Sequence, residues 1–374
     1  MSADPAPAWR VADGAVHVYR LFDVGDGVDL ARAEALLAAP RSRLALESAK
    51  GTTALEIPRP PLRVALGERR IALASGERAA TASARVFDYG VVSVRYRLPV
   101  EPGTPLPALV SLAEQLVARP TAELDAAARA EAQELARALG PAIARPHAWE
   151  GLEAYHVFVV HRFEAPATAA EVAAGAPLAE LLLGETSPAP LSAGERQDVM
   201  KHAFSYLADD LAVVDWNSAF VLEPSRASDI PDLLEFATAH LLELRYYDAL
   251  LDQELGSIYE ELGARRRLSR LVTRRYLKLQ RRTAALRLEI AEMLERVDNA
   301  VKIIGDFYLA RLYQGALRRF RVPDWEESVL RKQKLLVELN AIMNDAADRR
   351  RAELLELTVI LLILWEILYA LLRR

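Results

Sequence analysis

The sequence contains no cysteine, which excludes a disulfide framework, a thiolate metal site and a cysteine nucleophile together. It also lacks a P-loop, a GxGxxG after a strand and a GxSxG elbow, the local signatures of phosphate cradling, dinucleotide binding and serine hydrolysis. Histidine is scarce and scattered: His17, His147, His156, His161, His202 and His240 show no metal-ligand spacing, and the two on one strand segment, five apart, face opposite sides. No metal, cofactor or small-molecule ligand is expected from these residues, and no catalysis. Charge of one sign is not in excess either: 47 Lys and Arg against 52 Asp and Glu leave a net charge of −5, so any basic surface is local. The opening MSADPAPAWRVADG has no basic stretch followed by an apolar one, and no cleavable signal is expected.

What is present divides at EPSRASDIP, Glu223 to Pro231. With 52% hydrophobic and 26% charged residues over 374 positions, both halves can bury a core. Residues 1–225 mix strands and short amphipathic helices. Strands are predicted at Val16–Val24, Arg63–Leu73 (with a hairpin-like Gly-Glu turn inside it), Ala84–Leu98, Gly151–Glu164 and Leu211–Glu223. Helices are predicted after Asp29, a good N-cap, over Ala108–Leu139 with a break at Pro120, and over Ser192–Ala208. The order suggests a ferredoxin-like α/β unit with an extension, so the chain reads as α+β. In DVGDGVD (Asp23 to Asp29) the close carboxylates bring calcium to mind, but no distal bidentate Glu follows, and a turn plus helix cap is the better reading. Asp215, Trp216 and Asn217 read as an edge or turn within an apolar strand rather than a pocket.

Residues 226–352 lose the strand signal and read as long antiparallel helices: one from Asp229 to about Leu262, one over about Ala264–Phe320, a reversal at RVPDW, and a third from Asp324. On the third, Val329, Leu336, Met343, Leu357, Leu364 and Leu371 fall at sevenfold spacing, joined by Leu339, Ala346, Ile360 and Ile367. That is an oligomer seam in need of a partner, here a second copy of the chain. The second helix carries ten basic residues and no acid between Gly263 and Leu288: Arg265, Arg266, Arg267, Arg270, Arg274, Arg275, Lys278, Arg281, Arg282 and Arg287. RNA, a ribosome or anionic lipid headgroups would reward such a run, but the acidic helix before it is an intramolecular partner of matching charge.

The chain closes on LTVILLILWEILYALLRR. Eleven of the sixteen residues Leu357 to Leu372 are Leu, Ile or Val, worth roughly −3 to −6 kcal/mol on insertion against about 3 for the one acid, Glu366. Residues 353–374 are therefore expected to be a C-terminal transmembrane anchor, with Leu357, Ile360, Leu361, Leu364, Trp365, Glu366, Leu368 and Leu371 in it and basic flanks at Arg349–Arg351 and Arg373–Arg374. Single-pass insertion in the cytoplasmic (inner) membrane, with the N-terminal bulk in the cytosol, would follow; the alternative is a buried helix of an oligomer.

Three stretches resemble the family called required for meiotic nuclear division: RAELLELTVILLILWEIL, VFDYGVVSV and KLLVELNAIMND. In the first, Leu355, Glu356, the run Val359 to Leu364 and Glu366 match that family's leucine-glutamate pair, aliphatic run and second glutamate; LLELRYYDALLDQEL departs from the eukaryotic pattern, as a divergent bacterial branch would. The resemblance implies a membrane-anchored, oligomeric, non-catalytic protein, since eukaryotic members include an inner-mitochondrial-membrane protein that supports translation. The functional expectation is a self-associating membrane scaffold. An RNA- or ribosome-binding tether using the basic helix, and an enzyme with a pocket in the α/β domain, are the alternatives.

Overall fold

The computed structural model describes residues 9–37, 41–43, 59–118, 121–263, 283–292, 294–295 and 307–372. These form two compact units: the described residues of Met1–Tyr246 with Met293–Trp325, and those of Tyr247–Glu292 with Glu326–Arg374.

The first unit is built on one large mixed sheet. Its strands are β1 (Arg10–Asp23), β3 (Arg41–Arg43), β4 (Leu62–Leu73), β5 (Gly76–Val86), β6 (Val91–Pro99), β7 (Thr104–Pro105), β9 (Glu153–Phe163), β10 (Ala203–Phe204), β11 (Leu211–Val214) and β12 (Ser218–Leu222). They run in the order β10-β11-β12-β9-β1-β6-β5-β4-β3, with β7 beside β1. All neighbours are antiparallel except β12 and β9. A separate ribbon pairs β2 (Gly25–Val28) with β8 (Ile143–Pro146). Every second residue of the central strands faces one side. Val16, Val18, Phe22, Val92, Val94, Tyr96, Phe158 and Val160 pack there in the core shared with α1 (Leu30–Leu36), α2 (Leu106–Ala113), α3 (Ala122–Leu139), α4 (Ala169–Gly175) and α5 (Leu178–Leu183). A further helix, α6 (Ala193–Met200), adds Val199 to it. Residues 229–246 of α7 (Asp229–Gly263) and α8 (Phe307–Arg319) lie on the opposite side, where Phe236 meets Phe87 edge-on and Phe320, next to α8, meets Tyr155.

The ferredoxin-like expectation is thereby corrected: the molecule is mixed α/β around a ten-stranded sheet. Its physical reason is visible at Ala84–Leu98, one strand in the sequence reading and two here. Gly90, at φ +101°, turns the chain, and the Phe87 amide donates to the Val91 carbonyl. A Cβ at Gly90 would sit 1.6 Å from the Gly25 carbonyl oxygen, so no other residue fits. The expected turn at Gly67 is instead a bulge within β4, where the register to β5 shifts. Asp29 does cap α1, accepting from the amides of Ala31 and Arg32, and residues 215–217 do form the turn between β11 and β12.

In the second unit, residues 247–263 of α7, helical residues 283–292 and residues 326–372 of α9 (Val322–Leu372) are helical. Leu251, Leu255, Ile258, Leu286, Ile290, Val329 and Leu336 are buried, and Lys332 bridges Asp248 at 2.8 Å and Asp252 at 2.6 Å. Val329 and Leu336, expected at a seam between copies, are thus buried within the chain itself; Leu339 is half-buried. The side chains of Met343, Ala346 and Leu371, and all of Arg265, Arg266, Arg267, Arg270, Arg274, Arg275, Lys278, Arg281 and Arg282, lie outside the described residues.

The transmembrane anchor is overturned as well. Among the described residues no helix is long and apolar enough to cross a membrane. The acids Glu356 and Glu366 leave nine residues between them, about 14 Å of helix, against the ~30 Å of a hydrocarbon layer. The membrane scaffold, the membrane tether and the inner-membrane location built on that anchor fall with it. Leu357, Ile360, Leu361, Leu364, Trp365 and Leu368 are instead exposed side chains of α9, each at least 48% accessible.

Candidate functional site

One corner of the first unit gathers polar groups around an apolar cavity. The glycines of GDG let β2 approach β8: a Cβ at Gly25 would lie 2.5 Å from the Ile143 side chain, and the His147 amide donates to the Val24 carbonyl. This ribbon brings Asp23, at the end of β1, and Asp26, in β2, to either side of His147. His147 Nε2 lies 2.9 Å from Asp23 Oδ1 and Nδ1 lies 3.3 Å from Asp26 Oδ1. The Nε2–Asp23 distance suits a hydrogen bond but the alignment does not, so that contact is chiefly coulombic. Arg145, held at φ +44° one residue before Pro146, bridges Asp26 Oδ2 at 2.5 Å. The Tyr246 ring stacks on His147 at 4.5 Å and 7°, and Trp149 meets Tyr246 edge-on.

Burial pushes the Asp23 carboxyl up, while its contact with His147 opposes the shift. At His147 burial alone would lower the pKa; the close negative charge of Asp23, with that of Asp26, outweighs it and raises it. The pair is a partly buried ion pair with its proton on the imidazole. Asp23 Oδ2 is buried and has no hydrogen-bond partner among the described residues.

Beside this pair opens a cavity of about 500 Å³, walled by Phe22, Val24, Ala132, Ala136, Ile143 and Trp149, with Asp23 and His147 at one end and Arg129, Gln133, Arg137 and Glu150 around it. Arg129 holds its far wall: it lies over the Phe22 ring and donates to the carbonyls of Trp149 and Glu150. Among the described residues no group of three or more His, Asp or Glu is arranged to hold a metal ion, and both ring nitrogens of His147 face carboxylates instead.

A family model described as "Uncharacterized protein MJ0711, N-terminal domain" matches residues 13–229, from within β1 to the first residue of α7. The chain belongs to this family. The matched stretch, more than half of the chain, contains the whole wall of the cavity. Uncharacterized protein MJ0711 of Methanocaldococcus jannaschii is 25% identical over 182 residues, 46% of this chain and 53% of that protein. The chain thus matches about half the length of that relative. No solved structure matches.

The sequence singled out Asp23 and Asp26 as close carboxylates but not His147, more than 120 positions away, nor the cavity. Two further histidines lie on β9, away from this corner. His156 is buried beside Arg20 and the Asn217 carbonyl, and His161 faces the Glu223 carbonyl across the sheet.

Proposed function

We propose that this MJ0711-type α/β unit is a non-catalytic binding module for a small molecule with a flat apolar body and one N–H or O–H donor. The observation that supports it is the cavity itself: about 500 Å³, apolar along its walls, with the unsatisfied Asp23 Oδ2 at one end. A volume of that order suits a small ligand, and one donated hydrogen bond would satisfy a group that is costly to leave bare. The absence of turnover is part of the proposal, because a general base needs a free nitrogen and both nitrogens of His147 are turned to carboxylates. Thermal unfolding of the full chain with a panel of heteroaromatic N–H compounds (indole, benzimidazole, aminopyridine) tests it. At least one should raise the midpoint, and Asp23→Asn should abolish the effect. Silence of the whole panel, or equal stabilisation of Asp23→Asn, rejects the binding module, and conversion of a bound compound that His147→Gln abolishes rejects its non-catalytic character.

A second reading concerns α9. Twelve large apolar or aromatic side chains between Leu355 and Tyr369 are exposed, on every side of the helix. We propose that further copies of this chain cover them, with Leu357 and Leu364, and Ile360 and Ile367, continuing the sevenfold spacing. Because the whole circumference is apolar, one partner helix is too few and the assembly exceeds a dimer. Sedimentation equilibrium of the full chain should give three or more copies, reduced by Leu361→Lys with Leu364→Lys. A monomer, or flotation of the chain with lipid vesicles, rejects it.

A further inference from the structure

The polar groups that line the corner cavity divide between a buried end and an exposed mouth. Asp23, 5% accessible, stands at the buried end beside His147, and its Oδ2 has no hydrogen-bond partner among the described residues. Gln133, Arg137 and Glu150 line the same cavity but are exposed, so they stand where it opens to water. Between the two ends the walls are apolar, with the Phe22 and Trp149 rings among them.

The mouth carries both signs of charge, and the protein answers neither. Arg137, in the last turn of α3, donates from Nε to the Gln133 carbonyl one turn back, at 3.2 Å, and this bond lays its side chain along the rim. Its guanidinium makes no ion pair among the described residues. The Glu150 carbonyl accepts from Arg129, but the Glu150 carboxylate makes no ion pair there either. Arg129 itself is occupied by two carbonyls and the Phe22 ring. Unpaired surface charges are ordinary where they face only water. Here one cation and one anion frame an apolar cavity whose far end holds an unsatisfied acceptor.

That arrangement narrows the head group of a ligand whose flat body fills the cavity. A monoanion would gain Arg137 and be repelled by Glu150, and a monocation would meet the reverse; a zwitterion answers both. An α-amino acid carries its ammonium and carboxylate on one carbon, next to the side chain that would enter the cavity. The side chain must then be apolar along its length and end in one N–H, which is a description of an indole.

We propose that the corner cavity takes a free aromatic α-amino acid with a ring N–H, tryptophan being the type. The ring N–H donates to Asp23 Oδ2, the bicycle lies between the apolar walls, the carboxylate meets Arg137 and the ammonium meets Glu150. This assignment rests on the binding-module reading above and names the ligand class of that module.

Isothermal titration of the full chain tests it, with indole, tryptophan, indole propionate, tryptamine and tryptophanamide as ligands. Two charge pairs at an exposed mouth should make tryptophan roughly five- to tenfold tighter than indole. Indole propionate, tryptamine and tryptophanamide, each lacking one charge, should fall below tryptophan. Its benzothiophene isostere, with sulfur in place of the ring N–H, should bind at least as weakly as indole. Arg137→Gln and Glu150→Gln, both at exposed positions, should each weaken tryptophan and leave indole unchanged. Indole binding with tryptophan no tighter overturns the amino acid and leaves the binding module standing; silence of every ligand overturns both. Tryptophanamide as tight as tryptophan overturns the free amino acid in favour of a peptide N-terminus, and unaltered tryptophan binding in both glutamine variants overturns the zwitterion site.

Discussion

Asp23 favours the protonated form of His147, and burial works against it. The Asp23 carboxylate raises the imidazole while burial opposes it, so removing that charge leaves burial opposed only by Asp26 and the Arg145 backbone. In Asp23→Asn the His147 pKa is expected to fall, measurable by following its ring protons through an NMR titration. The same residues give a pH dependence with two opposite limbs. His147 titrates above 6.5 when folded, so its contribution is complete below pH 6.5 and lost as pH rises through the folded value. His156 and His240 are each pushed down to about 3 by burial, and their contribution is complete above pH 6.5 and lost as pH falls from there toward 3. Each buried histidine steepens the acid limb by up to about 1.4 kcal/mol per pH unit. Urea midpoints at pH 5, 6.5 and 8 should peak at the middle value, and His240→Leu should flatten the acid side by about one proton.

At the scale of elements, Arg85 ties α7 to the sheet. Leaving Asp232 and Glu235 buried without their cation makes Arg85→Ala costly, about 3–5 kcal/mol, read from urea unfolding. Asp29→Ala should cost about 1 kcal/mol through the lost cap of α1. Both elements illustrate what periodicity reveals. The cap and the helical run from Asp229 to Gly263 were legible, because a capping carboxylate and a 3.6-residue pattern are local features. The split of Ala84–Leu98 into two strands was not, since it depends on one glycine and on a backbone more than sixty residues earlier. The β2–β8 ribbon, α4 and α5 are too short for a period to show. Register was equally hidden: Arg63, Arg85, Arg95 and Arg97 form a ladder only because two hairpins align them.

For the whole molecule, the closing stretch carries the largest revision. Its apolar composition was legible, and exposure of those side chains agrees with it, but the acids at Glu356 and Glu366 fix how long an uninterrupted apolar length the helix offers. The acidic character of α7 was expected to answer the basic run after it, of which all but Arg287 lies outside the described residues; among the described residues Asp232 and Glu235 pair with Arg85, and Asp248 and Asp252 with Lys332.

The first unit takes its residues from two separated stretches, and this orders its birth. The sheet is complete in sequence at Leu222, yet Tyr155 waits for Phe320, and Asp215 waits for Arg319, which donates to it at 2.7 Å. At translation speeds of roughly 5–20 residues per second, the hundred-odd residues between them take on the order of 5–20 s to emerge. During that interval part of one sheet face stands open beside the ribosome, so a chain stopped before Phe320 is the species on which a chaperone would act.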